Sequence, residues 1–347
     1  IYCGRNEGFP PEQIDKALRR IVKEDHPGLH YISSSADEVV SGHGPYRALP
    51  VKEYFSLKNG SDKFHSERGM PNVMNYESLV RTFSPEALWP QNAQWGQHDY
   101  TMEGAQSCAS FNAIIEKGFG KPNNAKEFAD LAQWVNYDGY RGMFESRSLN
   151  RKGLLLWMTH PAWPSMVWQT YDYYFEPTAA YFGCKKASEP LHIQWNPVTD
   201  EIEVVNYSAG LRNGLMAKAQ ISWENEVSVD SKEDTTNKCM KLDFPASVSS
   251  AHFVKLTLTE NGKIVSDNFY LRGVEEGNYQ ALREMPKVTL QSNVTTNKGN
   301  DGTWTATATL ENTSSTPALM IRVNVVGEKD GQQFLPMFYS DNYFSLL

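Results

Sequence analysis

Several familiar catalytic signatures are missing from this chain. It has no Gly-rich phosphate cradle, no Gly-x-Ser-x-Gly elbow, no His-Glu-x-x-His pair and no calcium loop of the EF-hand kind. Cysteine is scarce. Cys3, Cys108, Cys184 and Cys239 are scattered and form no Cys-x-x-Cys pair. That spacing speaks against both a disulfide framework and a zinc site. No metal or cofactor is expected. No apolar run approaches the length of a membrane span. An excess of positive charge is also absent, with 33 Lys and Arg against 41 Asp and Glu and a net charge of −8. Neither nucleic acid nor an anionic membrane surface is an expected partner. No signal peptide is visible. The chain opens on Ile1, inside a strand-like run, so the missing signal carries no information about targeting. Localisation stays open, with the periplasm or the extracellular space favoured.

What is present is the composition of a soluble globular protein. The 347 residues are 21% charged and 40% apolar, enough for two or three domains. Aromatics reach 12%, with 9 Trp and 17 Tyr, a content that fits a protein handling carbohydrate.

Two stretches organise the rest. IYCGRNEG (1–8) and KFHSERG (63–69) are short β-type runs that each end in a glutamate, Glu7 and Glu67, with glycine close behind. A strand that delivers a carboxylate and then breaks is how a parallel barrel furnishes its C-terminal rim. Glycoside hydrolysis needs two such carboxylates, one as acid and base, the other as nucleophile. In a chain this rich in Asp and Glu, either glutamate alone also reads as a solvated loop charge.

The surrounding pattern favours the pair. FPPEQIDKALRRIVKEDHPG predicts a helix, and Leu29–Ser35 the next strand. An irregular stretch, SGHGPYRALPVKEYF, then precedes the strand that carries Glu67. Helices are expected from Asn75, over Ala105–Lys117 and over Ala125–Phe144. Gly153–Met158, GLLLWM, is an apolar run that suits a strand buried on both faces. Beyond Lys186 the texture becomes β-type, with Asn261-Gly262 marking a tight hairpin. This predicts antiparallel sandwich, in two modules divided near Glu275–Arg283. Asn206, Asn293 and Asn312 lie in Asn-x-Ser/Thr triplets, which carry glycans only in a secreted eukaryotic setting.

Taken in order, these residues resemble glycoside hydrolase family 2, in its exo-β-glucosaminidase, β-mannosidase and endo-β-mannosidase branch. CGRNEG is similar to the family's Asn-Glu acid/base motif and FHSERG to its nucleophile motif. The block from LLLWMTHPAWPSMVW through YDYYFEPTAAYFGCKKASEP resembles the last barrel strand and the passage into the first sandwich. FYSDNYFSLL resembles a segment near the end of the last sandwich.

The resemblance implies a multidomain α/β plus all-β chain. Residues 1–185 would be a partial (β/α)8 barrel holding strands four to eight. Residues 186–277 would be an immunoglobulin-like β-sandwich, and 278–347 a second, incomplete one. It implies a retaining exo-β-glycosidase acting on a β-mannoside or β-glucosaminide, with a glycan as substrate. Glu7 would be the acid/base, with a pKa raised by burial and by Glu67, which would be the nucleophile. Asn6 would bond the sugar 2-hydroxyl. Trp157 would wall the subsite of the cleaved sugar, or else be a core aromatic. His43, Tyr46 and His98 are rim contacts or structural loop residues. Trp163 and Trp168 read as packing between barrel and sandwich.

His160-Pro161 stands where many relatives carry Asn-Asp or Asn-Asn, so the polar contacts of His160 with the sugar would differ. A β-galactosidase or β-glucuronidase of the same family, and a non-catalytic carbohydrate-binding protein on a degenerate barrel, are the alternative readings. The resemblance also leads us to expect that an N-terminal part of the same enzyme completes the barrel, and that this polypeptide alone is inactive.

Overall fold

A computed structural model describes residues 1–37, 39–56, 63–101, 107–146, 152–221 and 224–346. The first half alternates short parallel strands with helices. β1 (Tyr2–Arg5) pairs in parallel with β2 (Tyr31–Ser34), and α1 (Glu12–Asp25) crosses between them. Pro11 occupies the N-cap of α1, where a missing amide costs little. Asp15 of α1 ties helix to sheet, accepting from the Tyr31 and Ser33 hydroxyls at 2.7 Å each.

A second parallel sheet runs in the order β3 (Val40–Ser41), β4 (Phe64–Arg68), β5 (Leu154–Leu156). The connections carry α2 (Val51–Ser56), α3 (Tyr76–Thr82), α4 (Pro85–Leu88), α5 (Ala93–Gln97), α6 (Ala109–Phe119) and α7 (Ala125–Glu145). The helix expected over Ala105–Lys117 is α6, and Ala105 lies outside the described residues. Among the described residues the two parallel sheets remain separate.

The expectation for Gly153–Met158 is corrected. β5 is only three residues long and is not buried on both faces, with Leu155 53% exposed. It lies at the end of its sheet, so only β4 pairs with it among the described residues.

After α8 (Ala179–Ala187) the chain becomes antiparallel. One sheet is β6 (Leu191–Asn196), β7 (Glu201–Asn206) and β10 (Thr235–Lys241). The facing sheet is β8 (Arg212–Gln220), β9 (Glu224–Ser231), β11 (Ala251–Glu260) and β12 (Lys263–Gly273). Ile193, Ile202, Val204, Leu215, Leu256 and Leu258 close the core between them. Asn261 and Gly262 turn the β11–β12 hairpin at φ 51° and 76°, the left-handed pair that a two-residue loop requires. Further on, β13 (Gln291–Lys298) pairs with β14 (Trp304–Glu311), exposed along almost its whole length. β15 (Ala318–Ile321) pairs with β16 (Phe344–Leu346).

α7 joins the two halves. Arg141 donates to Asn268 Oδ1 at 2.8 Å and to the Phe269 carbonyl at 2.7 Å. Glu145 Oε1 accepts from Tyr270 at 2.8 Å and from Asn268 at 3.0 Å, and His192 Nε2 lies 3.1 Å away. The closing segment docks on the helical layer as well. Tyr343 donates to Asn75 at 2.8 Å, and Arg322 binds both Glu77 and the buried Glu176.

Burial pushes the Glu176 carboxyl up to about 7 from an ordinary 4.5, against the opposing pull of Arg322. Folded Glu176 therefore holds its proton more tightly than unfolded. Its contribution is fully present below the ordinary value and is lost as pH rises through the folded one. Glu176→Gln should remove that loss, worth up to about 3 kcal/mol. Denaturant titrations of both proteins at about pH 5 and about pH 8 check this, and an identical change in stability between the two pH values would refute it.

Candidate active site

Two strand ends build the site. β1 ends at Arg5, and the chain then turns sharply. The Gly8 amide donates to the Asn6 carbonyl at 2.7 Å, and Glu7 at the centre of the turn has φ 52°. A non-glycine residue in that region is uncommon and is kept only where its surroundings enforce it. Ser35, just beyond β2, supplies the enforcement. Its hydroxyl lies 2.8 Å from the Glu7 amide, which donates to it, and 3.3 Å from Asn6 Oδ1.

β4 delivers Glu67 through a bulge. Its register with β5 shifts between His65 and Arg68, where β4 spends one more residue than its partner. Such bulges re-aim side chains next to active sites. The exit from β4 is then clamped. A Cβ at Gly69 would lie 2.3 Å from the Trp157 carbonyl oxygen and 2.7 Å from Trp168 Cβ, so only glycine fits. The Met70 carbonyl accepts from Tyr140 of α7 at 2.9 Å, and Asn136 of α7 donates to Asn72 Oδ1 at 2.7 Å. Ser66 donates to the Ser35 carbonyl at 2.7 Å, which joins the two sheets beneath the glutamates.

The two glutamates converge on one place, near enough for Glu7 to act on the ionisation of Glu67. Glu67 is buried, whereas the Glu7 side chain is 39% exposed. Burial first, and then the contact with Glu7 and its charge, push the Glu67 carboxyl up. The Tyr46 hydroxyl and the charge of His43 oppose that rise. The expected burial of Glu7 is thus corrected, since the desolvation falls on Glu67. The reason is local, because the turn after β1 lifts Glu7 towards solvent while the bulge tucks Glu67 under it.

His43 Nδ1 stands 3.9 Å from Glu7 Oε1. The Tyr46 hydroxyl lies beside both carboxylates, and its own donated bond runs to the Gly42 carbonyl at 3.4 Å. Burial and the two carboxylates hold the Tyr46 phenol well above its usual ionisation range.

The structure thus brings Glu7, Glu67, His43 and Tyr46 together, with Asn6 adjoining through Ser35. Trp157 follows β5 next to Gly69 and is 46% exposed; its amide donates to the Arg68 carbonyl at 2.9 Å. His98 and His160 are engaged in the 157–176 loop region. The His98 ring bonds the Pro164 carbonyl and meets Phe83 edge-on, with centroids 4.7 Å apart. His160 stacks on Phe175 at 4.5 Å.

Sequence reasoning missed Ser35, whose only signal was its place at a strand end, and Trp168. The Trp168 ring stacks on Tyr46 with centroids 4.5 Å apart. Trp163 is exposed rather than packed. Among the described residues no group of three His, Cys, Asp or Glu could hold a metal ion. Arg68 is fully buried over the Tyr54 ring at 5.4 Å, and its three side-chain nitrogens find no hydrogen-bond partner among the described residues.

The chain resembles several known proteins. Residues 268–347 match the family model described as the exo-β-D-glucosaminidase Ig-fold domain. Over most of its length the chain is similar to exo-β-D-glucosaminidases. An exo-β-D-glucosaminidase of Streptomyces avermitilis is 27% identical, over 97% of this chain and 43% of the relative. A mannosylglycoprotein endo-β-mannosidase of Lilium longiflorum is 26% identical, over 78% of this chain and 34% of the relative. The exo-chitosanase CsxA of Amycolatopsis orientalis, solved in complex with PNP-β-D-glucosamine, superposes with a TM-score of 0.88 at 24% identity. That superposition covers 98% of this chain and 46% of CsxA. The chain therefore spans less than half the length of these relatives.

Tyr46→Phe removes a group that holds the Glu67 carboxyl down, so the Glu67 titration should move to higher pH. Carbon-13 NMR of labelled glutamate checks it, with His43→Ala expected to move the same way. A Glu67 midpoint that stays put or falls in the Tyr46 variant would contradict the assignment.

Proposed function

We propose that this chain carries the catalytic pair of a retaining exo-β-glycosidase that removes a terminal β-linked sugar, a β-glucosaminide or a β-mannoside. The observation that carries the proposal is the convergence of Glu7 and Glu67 from two parallel strand ends, tied together beneath by the Ser66–Ser35 hydrogen bond. The named relatives support the substrate class.

Glu67 attacks the anomeric carbon. Glu7 in its protonated form gives its proton to the departing oxygen as the glycosidic bond breaks. Glu7, now a carboxylate, takes a proton from water, whose oxygen attacks the glycosyl-enzyme and releases Glu67. The environment acts on Glu67 in both directions, since burial and the Glu7 charge raise its carboxyl while other neighbours lower it. Glu67 needs its charge to attack, and Tyr46 and His43 both favour that charge. Glu7 exchanges protons with water in the second step, and its exposed position allows it. Asn6 would hold the sugar 2-hydroxyl and Trp157 would face the ring, with Tyr46 and Trp168 as the adjoining wall. His98 and His160 would act at the periphery of the sugar.

In the same proposal β1–β5 are five staves of an eight-stranded barrel occupying residues 1–185. The sandwich takes 186–277 and a further β module 278–347. Such a barrel closes only when every strand has two neighbours. The outer edges of β1 and β5 are unpaired among the described residues. Three more strands would close them, and activity is expected only once they do.

A panel of nitrophenyl β-glycosides offered to the enzyme with its barrel closed tests the reading. Glu67→Gln should abolish turnover. Glu7→Ala should retain the first step for substrates with good leaving groups, and azide should then restore turnover with a product of retained configuration. Equal loss in both variants on every substrate, with no azide effect, would remove the roles assigned to the two glutamates.

A further inference from the structure

A cavity of about 540 Å3 lies between α7, the start of α2 and the sandwich end of β12, and neither Glu7 nor Glu67 borders it. Its volume falls within the roughly 300–1,000 Å3 usual for small-ligand sites. Five aromatic side chains, Phe119, Trp134, Trp195, Tyr270 and Tyr279, contribute to its walls. Four carboxylates and four cationic side chains border it too, so the lining carries no net charge.

Two of its polar groups are incompletely matched. Trp195 is 92% buried, and its indole N–H meets no acceptor among the described residues. Arg141 Nε likewise makes no hydrogen bond, its nearest carboxylate oxygen on Glu145 standing 4.0 Å away. At the surface, Lys52 Nζ lies 4.0 Å from Glu276 Oε2, both half exposed, so a weak ion pair spans from one wall to the other.

The chemistry of this lining narrows the ligand. A strongly anionic ligand would meet as many carboxylates as cations and gain little. A purely apolar ligand would bury those charges without partners, which is costly. A pyranose ring suits both features. Its C–H face packs on indole and phenol rings, while its hydroxyls donate to carboxylates and accept from Arg, Lys and indole N–H groups.

We propose that this cleft is a second glycan-binding site, separate from the paired glutamates, that takes one or two rings of a short β-linked oligosaccharide. The ligand class rests on the exo-β-glycosidase reading, whereas the separateness of the site rests on the cavity itself. Hydrogen-exchange mass spectrometry on Glu67→Gln, with a β-linked glucosamine tetrasaccharide in one arm and a β-linked mannose tetrasaccharide in the other, tests it. Two separate patches of protection are expected with one of these sugars. One covers Gly42–Tyr46 and Glu67–Gly69, the other Leu49–Glu53 and Gly273–Tyr279.

Trp195→Phe keeps a ring but deletes the N–H. It should weaken protection of the second patch roughly tenfold in ligand concentration and leave the first unchanged. Lys52→Ala, on the surface, gives a second reading of the same patch should Trp195→Phe fail to fold. Protection of the first patch alone overturns the second site and leaves the glycosidase reading standing. Protection of the second alone upholds the cleft and counts against the glutamate site. No protection with either sugar overturns the cleft.

Discussion

Everything in this structure hangs on one helix that is polar where it is most deeply buried. A buried polar group costs free energy unless it is partnered, and when partnered it fixes one arrangement rather than many. On one side of α7, Gln133, Asn136 and Tyr140 bond the backbone and side chains of Met70–Val73, just beyond Glu67. On the other, Arg141 and Glu145 reach Asn268, Phe269 and Tyr270 of the sandwich. Arg141 also lies over the Tyr270 ring at 4.1 Å. Hydrophobic contact alone would let these layers slide. The directed bonds set their register, so the strand end that bears Glu67 is positioned partly from the far side of the molecule.

The glutamate site shows how backbone devices divide labour between two chemically identical groups. Glu7 sits on a tight turn with positive φ, held by Ser35, and stays open to water. Glu67 sits on a bulge, beneath the first and beside a tyrosine. Two carboxylates placed this closely cannot both be indifferent to ionisation. The protein resolves the conflict by surroundings. It sets a phenol beside both groups and an imidazole 3.9 Å from Glu7, and the imidazole charge bears on the deeper carboxyl as well. The same loop, Gly42–Tyr46, provides both, so the irregular stretch between β3 and α2 serves as the electrostatic frame of the pair.

The aromatic content divides in a similar way. One set fills cores, such as Phe83 on Trp95 at 5.0 Å. A second set borders open space, with Tyr46 and Trp168 at the glutamates, and Trp134, Trp195 and Tyr279 at the cleft beside α7. The likeness to CsxA extends over 98% of the chain, so the relation between the parallel strands and the sandwich is part of the shared fold.

Much of this was legible in the residues. Pro11, Pro27 and Gly28 delimited α1, and Asn261-Gly262 announced a hairpin that formed as expected, because turn chemistry and helix stops are local. The strand ends with their glutamates could be read as well, since a β-type run, a carboxylate and a glycine lie within a few residues of each other. By itself the sequence determined the longer helices, the two candidate carboxylates and the change from α/β to all-β texture, while β3 and the short helix α2 formed inside a stretch that read as irregular. Only the tertiary structure decided which carboxylate is buried, that Trp168 turns towards Tyr46, that Leu155 faces solvent at the end of its sheet, and that a cleft opens beside α7. These depend on which surfaces meet across long sequence separations. Burial and charge environment belong to that meeting, and no local pattern of residues encodes them.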